Sequence, residues 1–223
     1  MNSTQQVATI LHDAYFFDPK NWSPGMNYPN LPQIIDTIKR LFNQLNEQEI
    51  PYLLVGGIAM LNYVDGRNTK DVDLIIDNRD LAAVPEISIL DENQNFMRAS
   101  YGHVQLDLFL TQNQLFCQVQ QQYKTEIYWD DLKISCVTPM GLVILKLYAL
   151  PSLYRQGQFD RASLYETDIL QLVYHHQVSL ERAIIQVEPH LISSDCAEIR
   201  NIAQEIQQKI IRMGSRFQSE PEM

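Results

Sequence analysis

Residues 51–76, PYLLVGGIAMLNYVDGRNTKDVDLII, decide the fold. Four apolar residues, Tyr52 to Val55, predict a short buried strand. Gly56 and Gly57 then predict a tight turn into a helix ending near Gly66, and a second strand follows carrying Asp71 and Asp73. On a strand, side chains i and i+2 share a face with their bases about 6.6 Å apart. Two carboxylates converging across that gap can share divalent cations, since paired catalytic metals sit roughly 3.5–4 Å apart. A glycine pair at the start of a helix offers backbone N–H groups and no Cβ, which suits a phosphate. The unit as a whole fits a nucleoside triphosphate with Mg²⁺.

Working outward, residues 103–110, HVQLDLFL, alternate cleanly, with Asp107 among apolar neighbours. A carboxylate in such a strand is costly to bury alone. It either faces solvent on a sheet edge or joins Asp71 and Asp73 at a metal site. Between these strands the pattern predicts a short helix at 78–84 and a loop at 85–95 holding a strand at 87–90. A helix at 112–122 and two short strands within 125–137 follow. Upstream, Ile34, Ile38, Leu41, Phe42 and Leu45 follow helical spacing over 31–48, with Pro32 in the tolerated first turn. Residues 1–30 are dense in Pro, Asn and Gly and predict an irregular arm with a helical turn near Ala8 to Leu11.

From Thr138-Pro139 onward the periodicity is helical, with helices expected at 139–150, 160–176, 179–190 and 195–213. Asp195 and Glu198 form a capping-box pattern, and Gly214 is the expected stop. The organisation expected is an arm (1–30), a catalytic domain (31–137), a helical lobe (138–214) and a tail (215–223). The fold class is α/β, a small mixed sheet flanked by helices and followed by an all-helical C-terminal lobe.

Composition narrows the function. The chain has 223 residues, 45% of them hydrophobic and 20% charged, which describes a soluble globular protein. A formal charge of −10 argues against a broad grip on nucleic acid and leaves room only for a local basic patch. Cys117, Cys136 and Cys196 are far apart and in no zinc-ligand pattern, as expected of reduced thiols in the cytoplasm. No apolar run is long enough to span a bilayer, and no signal-peptide pattern opens the sequence. His103, His175 and His176 have no partners at zinc-ligand spacing and read as structural.

These pieces, Gly56-Gly57, Asp71-Val72-Asp73 and the later Asp107, resemble the nucleotidyltransferase superfamily that shares its fold with polymerase beta. Lys146, Arg155 and the ETDI segment with Asp168 make residues 50–175 similar to AbiEii-type toxins and related small bacterial nucleotidyltransferases. The resemblance implies transfer of a nucleoside monophosphate from an NTP to an acceptor hydroxyl, with release of pyrophosphate. Asp71, Asp73 and Asp107 are then the catalytic and metal-binding acids of a two-metal Mg²⁺ site. Gly56, Gly57, Arg67, Lys70, Lys146 and Asp168 are the nucleotide-binding set, with Asp168 orienting Lys146 or acting as base. Many relatives carry Ser where this chain has Gly57, so here backbone amides alone would hold the triphosphate at that corner. On residues alone, a Lys146 snorkelling from a packed helix and an Asp168 in a salt bridge with Arg155 or Arg161 remain open. The acceptor is either tRNA, held by a strip such as Arg67, Lys70, Lys124, Arg155 and Arg161, or a cationic small molecule, as in antibiotic adenylyltransferases. A non-catalytic component of a toxin–antitoxin pair, with a cognate antitoxin as partner, is the third reading.

Overall fold

The computed structural model describes residues 4–16, 29–64 and 69–217. The chain clusters into two compact units, residues 1–138 and residues 139–223.

The first unit is a seven-stranded mixed sheet with helices packed on it. Its strands are β1 (Tyr52–Val55), β2 (Asp71–Ile76), β3 (Ile87–Glu92), β4 (Phe96–Tyr101), β5 (Val104–Leu110), β6 (Lys124–Trp129) and β7 (Leu132–Val137), in the order β3-β4-β5-β2-β1-β7-β6. β2 runs parallel to β5 and antiparallel to β1, so β1, β2 and β5 form the buried centre. Val72, Leu74, Leu106 and Leu108 are fully buried on one face of that centre.

The arm expected to be irregular contains a regular helix, α1 (Thr4–Phe16). The signal was present: Thr4, Val7, Ala8 and Leu11 fall on one helical stripe, all are buried, and α1 packs on the next helix. Thr4 anchors its start, donating from its amide to Asp130 at 3.2 Å and from its hydroxyl to the Trp129 carbonyl at 3.3 Å. That next helix, α2 (Leu31–Glu47), has Asn30 and Gln33 as a reciprocal capping box and buries Ile34, Ile38, Leu41, Phe42 and Leu45. The Phe42 ring lies edge-on to Trp129, centroids 5.5 Å apart.

Two further differences bear on the site. The helix after β1 is short: α3 spans Gly56–Met60 and gives way to turns. The Asn62 side-chain Nδ2 donates back to the Ala59 carbonyl at 3.3 Å, and the Tyr63 hydroxyl donates to the Val137 carbonyl at 2.6 Å, which ties the chain down instead of letting it wind on. The loop expected at 85–95 holds β3 and runs into β4, a strand for which the sequence pattern predicts no element. α4 (Gln114–Gln122) follows β5, capped by Asn113.

The second unit contains α5 (Pro139–Arg155), α6 (Phe159–His176), α7 (Leu180–Val187) and α8 (Ser193–Phe217). α5 continues through Pro151, where the sequence predicted an end, because that proline is buried in the packed face and tertiary contact outweighs its propensity. Asp195 is buried inside the first turn of α8 and pairs with Arg155, so it links two helices instead of serving as a cap. α8 also passes Gly214, since one glycine weakens a helix without ending it. Among the described residues no helix is long and apolar enough to cross a membrane.

Candidate active site

The site is set by strand register. β2 and β5 pair Asp73 with Asp107 and Asp71 with Gln105. β4 and β5 pair Arg98 with Asp107. Cross-strand partners share a face, so Asp71, Asp73, Asp107 and Arg98 all project from the same side of the sheet. Further along that side Phe109 packs edge-on against Phe116 of α4, centroids 5.4 Å apart, so α4 covers the apolar end of the face beyond the acids.

Gly56 and Gly57 sit directly against this face. Gly56 has φ +66°, a left-handed conformation that favours glycine, and a Cβ there would fall 1.9 Å from Asp73 Oδ2. A Cβ on Gly57 would fall 2.6 Å from Thr69 Oγ1. The Gly57 amide donates to Asp73 Oδ2 at 3.3 Å. In this structure, then, the glycine corner's direct contact is with Asp73: the amide expected to meet a phosphate meets a carboxylate. Thr69 in turn donates its hydroxyl to Asp71 Oδ1 at 3.0 Å. Each of the two acids is thus oriented by a donor from the β1–β2 connection.

Asp107 is different. It is buried (6% exposed) and held bidentately by Arg98, whose Nε donates to Oδ1 and Nη2 to Oδ2, both at 2.9 Å. Asp107 holds the guanidinium firmly protonated, and the charges of Asp71 and Asp91 act on it in the same direction. The three expected acids thus meet on one face, with Asp107 paired to Arg98. Among the described residues no three acidic, His or Cys side chains are grouped to hold a metal ion. Arg98 is placed opposite Asp107 by the register of β4.

Asp71 and Asp73, half-buried and adjacent on one face, supply hard oxygen donors of the kind one Mg²⁺ takes from a protein, the rest of its shell coming from phosphate and water. They fit a single cation. Asp107, both of whose oxygens are engaged by Arg98, does not fit a second.

Of the other expected residues, Lys70 is exposed beside Asp71. Arg67 lies outside the described residues. Lys146 and Asp168 come together within the helical unit as a buried ion pair between α5 and α6, Nζ to Oδ2 2.7 Å, with the ammonium 4.2 Å above the Tyr165 ring. Asp168 pairs with neither Arg155 nor Arg161, which contact Asp195 and Gln158 respectively. A polar concavity of about 520 Å³ lined by Gln33, Asp36, Thr37, Lys39, Arg40, Asn43 and His103 shares no residue with the acid face.

Two residues at the site escaped the sequence reading. Arg98 was hidden with its strand, although Met97, Ala99 and Tyr101 alternate as a half-buried strand should. Thr69 precedes Asp71 by one strand repeat and had no motif to mark it.

Solved structures with this arrangement of elements exist. An antigenic nucleotidyltransferase-like protein from Paracoccidioides brasiliensis superposes with a TM-score of 0.50 at 18% identity, covering 84% of this chain and 95% of that one. The fold is that of the nucleotidyltransferases. A second such structure, ANT(2")-Ia in complex with adenylyl-2"-tobramycin, has a TM-score of 0.50 at 12% identity, covering 74% of this chain and 95% of that one. The solution structure of the same antibiotic-resistance factor gives 0.51 at 14% identity, with 78% and 96% covered. No protein-family profile matches the sequence, and no curated protein matches it. At these identities the likeness carries the nucleotidyltransferase fold; activity is a matter for the residues.

Proposed function

We propose that this chain is a nucleotidyltransferase that moves a nucleoside monophosphate from an NTP to an acceptor hydroxyl and releases pyrophosphate. The observation that carries the proposal is the packing of Asp73 into the Gly56-Gly57 corner, with Asp71 beside it on the same face. That places a pair of oriented carboxylates at the end of a short strand–turn unit within a nucleotidyltransferase fold. Asp71 and Asp73 would hold Mg²⁺, which supplies charge neutralisation along the polyphosphate when bound. The chain's own part is positioning. Thr69 and the Gly57 amide fix the two carboxylates, and the Cβ-free corner is what lets the Asp73 carboxylate come this close to the backbone. Asp107 belongs to the same face with Arg98 as its fixed counter-charge. Lys146, oriented by Asp168, is the cation that the resemblance to AbiEii-type proteins assigns to the nucleotide, with Lys70 and Arg67 completing the set.

For the acceptor, a cationic small molecule is better supported than tRNA. The chain carries −10, which draws in cations and repels a polyanion, and one neighbour of the same fold was solved with an adenylylated antibiotic. The test is incubation with α-labelled NTPs, Mg²⁺ and, separately, aminosugar antibiotics or total tRNA. Asp71→Ala and Asp73→Ala serve as controls. Label on the small molecule, absent in both variants, is expected. Label on RNA would instead favour the AbiEii-type toxin reading, with its cognate antitoxin. Label on neither, with no pyrophosphate formed, would leave a non-catalytic member of the fold.

A further inference from the structure

Arg98 stands where a second metal's ligand was expected to be available. Both Asp107 oxygens accept from its fork, Nε and Nη2 each at 2.9 Å, and the carboxylate is buried while the guanidinium is about half exposed. The guanidinium is no loose surface group. It lies 5.9 Å over the Phe96 ring, and Phe96 stands edge-on to Phe109 at 5.5 Å, so aromatic packing supports it.

We propose that Arg98 is a positioning residue that keeps Asp107 out of metal coordination, so that the site takes one divalent cation, on Asp71 and Asp73, instead of two. This deepens the nucleotide-transfer reading and rests on it. Two physical points carry it. A bidentate guanidinium occupies one lone-pair direction on each carboxylate oxygen with a permanent charge that no accessible pH removes. A second divalent ion bound to Asp107 would have to sit within a few ångströms of that charge, where repulsion is strong.

The experiment counts metal. Wild-type protein is dialysed to equilibrium against Mn²⁺ and an ATP analogue with a methylene between the α- and β-phosphates. Retained Mn²⁺ per chain is measured, and the electron paramagnetic resonance spectrum is recorded. One Mn²⁺ per chain with an uncoupled spectrum is expected for wild type. For Arg98→Gln, two per chain with a spin-coupled spectrum are expected. Arg98→Lys keeps a charge at the same strand position but meets Asp107 through a single ammonium. It is expected to admit a second Mn²⁺ at a metal concentration where wild type holds one, and it decides the matter if circular dichroism shows Arg98→Gln unfolded. Two coupled ions in the wild type would overturn the proposal, and so would a single ion in both folded Arg98 variants. Retention of no Mn²⁺ by the wild type would remove the Asp71–Asp73 assignment itself, and this proposal with it. Loss of the single ion in Asp73→Asn, with Arg98 intact, separates the two failures.

Discussion

At Gly56 the demands of backbone and side chain coincide. An alanine there meets a left-handed backbone, worth about 1–2 kcal/mol against any L side chain, and overlaps the Asp73 carboxylate. Overpacking of this kind adds roughly 1–3 kcal/mol. Gly56→Ala is therefore expected to lower the urea midpoint markedly. Because the overlap is with one side chain, Gly56→Ala in an Asp73→Ala background should cost less than in wild type, and a double-mutant cycle by urea denaturation reads the difference. Equal costs in both backgrounds would show that the corner does not press on Asp73. A second residue-scale expectation concerns thiols. Cys136 is fully buried and its pKa is pushed up by that burial to about 12, whereas Cys117 and Cys196 are partly exposed. Near pH 8 a thiol reagent should modify Cys117 and Cys196 and reach Cys136 only on unfolding, as peptide mapping of the labelled protein will record.

Between elements, the contact that most invites mutation is the Lys146–Asp168 pair joining α5 and α6. Removing one partner of a buried pair leaves an uncompensated charge and typically costs about 3–5 kcal/mol. Replacing both by apolar groups of similar size is often close to neutral. Lys146→Met is expected to be strongly destabilising and Lys146→Met with Asp168→Leu much less so, measured by chemical denaturation. If the double variant is stable yet binds NTP as well as wild type, the pair is a helix clasp and the nucleotide role assigned to Lys146 is lost. This is also the scale at which the sequence was legible in part. Helical stripes and the strand–Gly-Gly–strand order could be read because apolar periodicity and glycine each have a local cause. α1 could be read only as a turn near Ala8 to Leu11 and β4 not at all, because their stripes, though present, become decisive only when α2 and β5 are there to pack against. The same holds for the site. Asp71, Asp73 and Asp107 announce themselves as acids among apolar residues, whereas Arg98 gains meaning only through a register that no local pattern sets.

For the molecule as a whole, the groups with raised pKa values predict how stability responds to alkali. Burial pushes Tyr52 up to about 12 and Tyr63 higher still, and Cys136 also rises to about 12. A group that holds its proton longer in the folded than in the unfolded chain contributes stability fully present below its unfolded value. That contribution is lost as pH rises through the folded one. Stability should therefore hold up to roughly pH 9–10 and fall towards pH 12, by on the order of 2–3 kcal/mol for Tyr52 alone. Tyr52→Phe should blunt the decline, with thermal melts across that range as the measure.

The function proposed for the whole chain depends on whether Asp71 and Asp73 together hold a metal–nucleotide complex. Isothermal titration of ATP into wild-type protein and Asp73→Asn, each with and without Mg²⁺, tests it most directly. Binding by the wild type that requires Mg²⁺ and is lost in Asp73→Asn is the expected result; absence of binding, or binding equal in the two proteins, would contradict it.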